Sequence, residues 1–170
     1  MNQKTLHTLE FDKILSLLEE KAVSAPGKAL CRALTPMTEL GAIETAQAET
    51  EAALSRIRMK GELRLAGLRD VSASVKRLDV GGTLSTSELY AIGTLLDLSE
   101  RARNYGAHEE AEPDPDALEA SFTALSPLPK EKRELKRCIL SEELVADTAS
   151  AELSRIRRQM KTADERMHSA

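Results

Sequence analysis

Leu78-Asp79-Val80-Gly81-Gly82-Thr83-Leu84-Ser85-Thr86-Ser87-Glu88 has the composition of a joint between two helices. Adjacent glycines permit positive φ, so the pair can end the preceding helix in a left-handed cap. Ser85 and Glu88 stand at the spacing of a capping box, in which the hydroxyl accepts from the third amide and the carboxylate reaches back. Leu89, Ile92, Leu95 and Leu96 then recur on one helical face. Gly81, Gly82, Ser85 and Glu88 are therefore read as a structural joint. A phosphate cradle is the wrong reading of the glycines, because the Lys-Ser/Thr of a P-loop does not follow them.

Helical patterns extend from the joint in both directions. Towards the N-terminus, a short helix is expected over 71–78, preceded by a connection over 61–70 in which Leu63, Leu65 and Leu68 tuck onto the core. Before it, Thr38 starts a long helix to Lys60, stopped by Gly61, with a face of Leu40, Ile43, Ala46, Ala53, Leu54 and Ile57. Ser24 caps a helix with Pro26 in its first turn, running to Pro36. Thr8 is the expected N-cap of a first helix striped by Phe11, Ile14, Leu15 and Leu18.

Towards the C-terminus the joint opens a helix from Thr86 to Tyr105, followed by an acidic loop, 106–116, whose composition favours disorder. Helices over 116–125 and 130–139 come next, separated by Ser126-Pro127-Leu128-Pro129. Ile139-Leu140 and Leu144-Val145 allow at most one small β ribbon near 139–146. A final helix begins near Ser150. Its Leu153, Ile156, Met160, Ala163 and Met167 follow a 3, 4, 3, 4 spacing, a coiled-coil seam. No glycine or proline stops that helix before Ala170, so the chain is expected to be a fragment of a longer protein.

Composition bounds the function. The chain has 170 residues, 24 basic and 28 acidic side chains, a net charge of −4, no Trp and 2% aromatic residues. So few aromatic rings disfavour a base-stacking platform, and the net charge does not advertise nucleic acid. No apolar run approaches a membrane span, and Met1-Asn2-Gln3-Lys4 leads into no signal-peptide core, so a soluble, cytoplasmic chain is expected. Cys31 and Cys138 lie in no metal-ligand or redox motif, and His7, His108 and His168 are scattered and expected to be solvent-exposed. Catalytic, cofactor-binding and metal-binding residues are all expected to be absent, and the chain is not expected to be an enzyme by itself.

Two basic groupings qualify the electrostatics. Arg56, Arg58, Lys60, Arg64, Arg69, Lys76 and Arg77 fall within 56–77, either as a solvated face or, if folding gathers them, as a phosphate-contacting surface. Arg155, Arg158 and Lys161 recur at intervals of three along one side of the last helix and are the candidate nucleic-acid contacts. Arg157 lies about 100° round from Arg158.

Four blocks also carry a family likeness. They are Thr8-Leu9-Glu10-Phe11-Asp12-Lys13-Ile14, then Gly67-Leu68-Arg69-Asp70, then Gly81-Gly82-Thr83-Leu84-Ser85. The fourth is Arg137-Cys138-Ile139 with Ala149-Ser150-Ala151-Glu152-Leu153-Ser154-Arg155-Ile156-Arg157-Arg158. In order and approximate spacing they resemble the opening of the bacterial MutS-two family, the shorter MutS paralogues. The acidic loop and the lack of a glycine in the turn after Ile139 depart from the family pattern.

That resemblance implies a helical core and lever coupled to a clamp and a dimerising ATPase, with a nuclease-type domain at the far end. The expected fold is all-α: a helical core over 1–149, then the start of a lever or coiled-coil helix over 150–170. Magnesium and ATP would be bound by the parent protein, outside these residues. Implied partners are the clamp and ATPase regions of the same chain and branched DNA or a collided ribosome, in suppression of recombination or ribosome rescue. The parent would be a homodimer; the fragment, a monomer or weak homodimer. The alternative is a free-standing helical interaction domain that self-associates through its last helix.

Overall fold

The computed structural model describes residues 3–107 and 115–168. Among them the fold is all-α, without strands: α1 Gln3–Thr8, α2 Phe11–Lys21, α3 Ala25–Ala33, α4 Leu40–Lys60, α5 Ser72–Asp79, α6 Thr86–Gly106, α7 Glu119–Thr123, α8 Pro129–Cys138 and α9 Ala151–His168. The expected ribbon is reduced to a single antiparallel bridge between Ile139 and Val145. Most of the acidic loop, and His108 with it, lies outside the described residues; His7 and His168 are exposed.

Helix starts follow local chemistry, sometimes one signal away from the expected residue. Ser24 accepts from the Gly27 amide at 3.1 Å and starts α3. Thr8 does not cap α2: it ends α1, its hydroxyl donating to the Lys4 carbonyl, and Glu10 at φ 54° makes the bend into α2. Glu39, rather than Thr38, caps α4, its carboxylate accepting from Ala42 and Gly41 at 2.7 and 3.1 Å. Those amides hold the Glu39 carboxyl below its ordinary pKa.

At the joint, Gly81 has φ +78°, and the Gly82 amide donates to the Arg77 carbonyl at 2.9 Å, closing α5. A Cβ on Gly82 would lie 2.6 Å from Arg77 Cγ, so the second glycine is required by close approach rather than by φ. The capping box closes both ways: the Glu88 amide donates to Ser85 Oγ at 3.3 Å, and the Ser85 amide to Glu88 Oε2 at 2.9 Å. Glu88 also accepts from Ser74 and Arg77, fastening α5 to the start of α6.

The chain forms two compact units, one of Met1–Asp70 with Asp97–Pro127, the other of Val71–Leu96 with Leu128–Ala170. This grouping by compactness is a different cut from 1–149 and 150–170. The first unit is centred on Arg56, which is only 5% exposed, with Ala52, Leu98 and Ala102. Arg56 donates to both Asp116 oxygens at 2.5 and 2.9 Å and to the Gly106 carbonyl at 3.3 Å. Its guanidinium lies 5.1 Å from the centre of the Phe122 ring, which tilts against Tyr105. Phe122 in turn sits on Gly106, where a Cβ would fall 2.1 Å from Phe122 Cβ.

Of the expected face of α4, Ile43, Ala46 and Ala53 are half-buried, and the knot adds an inward edge beside them. Ala52 and Arg56 point inward, whereas Leu40, Leu54 and Ile57 are exposed. The knot also shortens α7: Asp116 is committed to Arg56 and to the Leu118 amide, and the helix begins at Glu119 instead of 116. The second unit buries Ser74, Gly93, Leu96 and Ala146, with α8 approaching α6 where Leu135 faces Gly93.

Candidate functional site

The second unit carries the candidate surface, α9, and its attachment is built from the end of α8 onwards. Leu140 donates to the Leu144 carbonyl at 2.9 Å, and Ala146 to Cys138 at 2.8 Å. The turn between them needs no glycine, because Ser141 Oγ accepts from the Glu143 and Leu144 amides. A 3-10 turn over Asp147–Ala149 follows. Ser150 then starts α9 by accepting from the Leu153 amide at 3.1 Å.

Two arginines close this root. Arg137, in the last turn of α8, donates to the Thr148 carbonyl at 2.6 Å and to Ala149 at 3.3 Å, while Glu134 grips the same guanidinium. The Glu134 carboxyl is held below its ordinary pKa by Arg137, which is itself raised. Arg157, two turns into α9, donates back to the Val145 carbonyl at 2.9 Å and to the Asp147 carboxylate. Leu153, Ser154 and Arg157 are the half-buried residues of α9; from Arg158 to His168 the helix is exposed.

Beyond the root, α9 has two sides. At about 100° per residue, Leu153, Ile156, Met160, Ala163 and Met167 fall within a sector of about 80°. Along it Ile156 is 40% exposed, Met160 65% and Met167 72%. Arg155, Arg158 and Lys161 occupy the opposite side, all exposed. Glu165 lies over Arg158 on that side and dilutes the stripe. The helix thus offers an apolar strip on one flank and a short, mixed but mainly basic strip on the other.

Three members of the other basic grouping are engaged within the fold. Arg56 is consumed in the buried knot, Arg77 is paired with Glu88 at 2.9 Å, and Lys60 donates to the Ala107 carbonyl. What the sequence missed is the inward role of Arg137, Arg157 and Asp147. The signals for it were Arg157 standing off the basic side and Arg137 standing in a family block.

Clefts open among the described residues of the first unit. One of about 450 Å³ is lined by Phe11, Ile14, Leu18, Met37 and Ile43 among others, none of them ionisable. Another, about 300 Å³, borders His7, Asp12 and Arg32, and Arg32 is paired with Glu19 at 3.0 Å. Among the described residues no three His, Cys, Asp or Glu side chains gather as a metal site would need, and both cysteines are free. No described helix is long and apolar enough to cross a membrane.

Comparison with known proteins agrees with the four sequence blocks. The chain is 40% identical over 168 residues to a protein named endonuclease MutS2 from Agathobacter rectalis, covering 99% of the chain and 21% of the relative. It is 39% identical to the protein of the same name from Lachnoclostridium phytofermentans, over 99% of the chain and 22% of the relative. A Geobacillus endonuclease MutS2 is 35% identical over 98% of the chain and 21% of its own length. No family model matches. The chain spans about a fifth of the length of these relatives.

Proposed function

We propose that this chain is the N-terminal region of a protein similar to endonuclease MutS2 and serves there as a non-catalytic mechanical module. In this reading α9 is the first part of a lever that links a distant ATPase to a clamp on branched DNA or on a collided ribosome. The whole protein would be a cytoplasmic, dimeric ATPase requiring ATP and magnesium, with a nuclease activity, all housed outside these residues. The observation that supports the module is the asymmetry of α9. Its root is held by hydrogen bonds from both sides, and its distal turns stand clear with an apolar strip open to a second helix. An α-helix suits such a task because its hydrogen bonds are internal and its rise per residue is fixed.

Arg155, Arg158 and Lys161 would at most make phosphate contacts, which position nucleic acid without reading its sequence. Three such contacts on a chain of net charge −4 should bind weakly and lose that binding as salt rises.

The test is a helix break in the full-length relative. Ala163→Pro removes a hydrogen bond in mid-helix and kinks it, within a stretch of sequence that holds no P-loop. ATP turnover without DNA should persist, and its response to branched DNA or ribosomes should be lost. An unchanged response would overturn the lever. The exposure of Met160 and Met167 also supports the second reading, self-association of the chain through α9. A stable dimer of the 170-residue chain, independent of any longer context, would favour it.

A further inference from the structure

The root of α9 carries two guanidinium groups in addition to its own cap. The starts of α3, α4 and α6 are each tied by the side chain of the residue next to the helix. That of α9 has its own cap in Ser150 and, in addition, two guanidinium groups reaching in from opposite sides. Arg137 comes from the preceding helix and takes the Thr148 and Ala149 carbonyls. Arg157 comes from the following helix and takes the Val145 carbonyl and Asp147. The segment between the helices is so short and irregular that only one bridge and one 3-10 turn stiffen its backbone.

Local capping needs neither arginine: Ser150 already satisfies an amide at the start of α9, and guanidinium groups bind carbonyls, which a helix N-terminus does not leave unpaired. The arginines instead satisfy acceptors of the connector itself. Arg137 sets Nη1 on Thr148 and Nη2 on Ala149, two arms of a planar fork that constrain angle as well as distance, while Arg157 clasps the Val145 carbonyl and the Asp147 carboxylate with the one Nη1. Arg137 joins α8 to the end of the connector, and Arg157 joins α9 to its middle. Together they cross-brace the connector from both helices.

We propose that Arg137 and Arg157 are positioning residues that lock the direction of α9 relative to α8, so that force applied along the distal turns of α9 moves α8 and the connector with it. The use of this lock for coupling rests on the lever reading above; the lock itself does not. Without the two arginines α9 would still be helical, but it would swing about residues 145–150 instead of transmitting displacement.

The experiment measures direction, which a merely stabilising contact would not set. In the whole 170-residue chain, with Cys31 and Cys138 replaced by alanine, spin labels are placed at Arg133→Cys on α8 and Gln159→Cys on α9, both exposed positions. Pulsed dipolar spectroscopy should give one narrow distance distribution. The Arg137→Met/Arg157→Met variant should lose the single narrow distance while helical circular dichroism stays unchanged. A distribution equally narrow in the variant, or already broad in the parent chain, overturns the lock. Should the methionine variant lose helicity, Arg137→Lys/Arg157→Lys keeps both charges without the fork and should still broaden the distribution; an unchanged width there overturns the proposal too. Failure of the lock leaves the lever open to other means of rigid attachment, whereas failure of Ala163→Pro to uncouple the full-length protein sinks the lever with the lock intact.

Discussion

Arg56 and Arg157 are both arginines that reach for a carboxylate and a carbonyl, and they do different work. Arg56 is buried, bidentate to Asp116, under an aromatic ring, and it joins residues 60 positions apart in sequence. Arg157 is half exposed and braces a connector 10 to 12 residues back along the chain. Burial strengthens a charge pair and makes its disruption costly, because the abandoned partner stays in a poorly solvated place. An exposed pair contributes little to stability, since water offers nearly the same bonds. The comparison separates a contact that holds a fold from one that fixes a direction.

The largest effect should come from the buried side. Arg56→Met leaves the half-buried Asp116 carboxylate without its bidentate partner and the Gly106 carbonyl without this donor, and it should cost about 3 kcal/mol in denaturant unfolding. Arg157→Met should cost less than about 1 kcal/mol. Equal losses at the two positions would erase the distinction. The pH dependence sharpens it further. Asp116 is held below its ordinary pKa, first by the hydrogen bond from Arg56 and then by the Leu118 amide, against the opposing effect of burial. A depressed native pKa means that the unfolded chain takes up the proton first. The pair therefore contributes fully above about pH 5, and the contribution fades as pH falls through and below about 4. Glu39, Glu88 and Glu134 are shifted in the same direction. Arg56→Met should thus flatten the acid limb of stability without abolishing it.

Next comes Gly106→Ala. The added Cβ would lie 2.1 Å from Phe122 Cβ, so the ring must move off Arg56. A loss of about 1–3 kcal/mol is expected, the range for overpacking. Pairing it with Phe122→Leu should recover part of that loss, measured as non-additivity in a double-mutant cycle. Strict additivity would mean the two positions do not press on each other.

The knot also marks where the sequence stopped being legible. The all-α class, the joint at Gly81-Gly82, the Ser85–Glu88 spacing and the Ser24 cap depend on residues within a few positions of one another, and propensity and spacing carry such information. Arg56 carries no local sign of its partner. Read along α4 it is one of several basic residues, and Leu54 and Ile57 beside it advertise an apolar face that the fold leaves exposed at those two positions. Thr8 failed as the expected cap because its hydroxyl turns back onto the Lys4 carbonyl and the left-handed Glu10 makes the bend into α2 without a side-chain cap, whereas at α4 the longer carboxylate of Glu39 meets the first amides in place of Thr38. At α9 the seam and the basic strip were legible from period alone, being geometry within one helix. The brace across 137–157 was not, since it depends on how the connector folds.

A smaller effect is expected at the joint. Ser85→Ala removes one half of the capping box and leaves the Glu88 carboxylate with Ser74, Arg77 and the Ser85 amide. The cost should be about 1 kcal/mol, the usual value for a lost N-cap. A loss of several kcal/mol would show that the joint, like Arg56, is a keystone and not a local device.

The smallest effect on stability should come from the distal seam, where the largest effect on association is expected. Ile156→Glu/Met160→Glu adds two charges to side chains that already face solvent, so unfolding free energy should change by less than about 0.5 kcal/mol. An apolar strip left open on a helix finds a like strip when concentration permits, and two glutamates facing two more across such a seam repel. Sedimentation of the 170-residue chain should therefore show a weak, concentration-dependent dimer that the double variant abolishes, at unchanged helical content. If the variant unfolds the chain, the strip is core, and the exposed distal turns of α9 have been misread. If it changes neither stability nor association, the strip does not pair with itself, and a helix from elsewhere in the longer protein becomes its fitting partner.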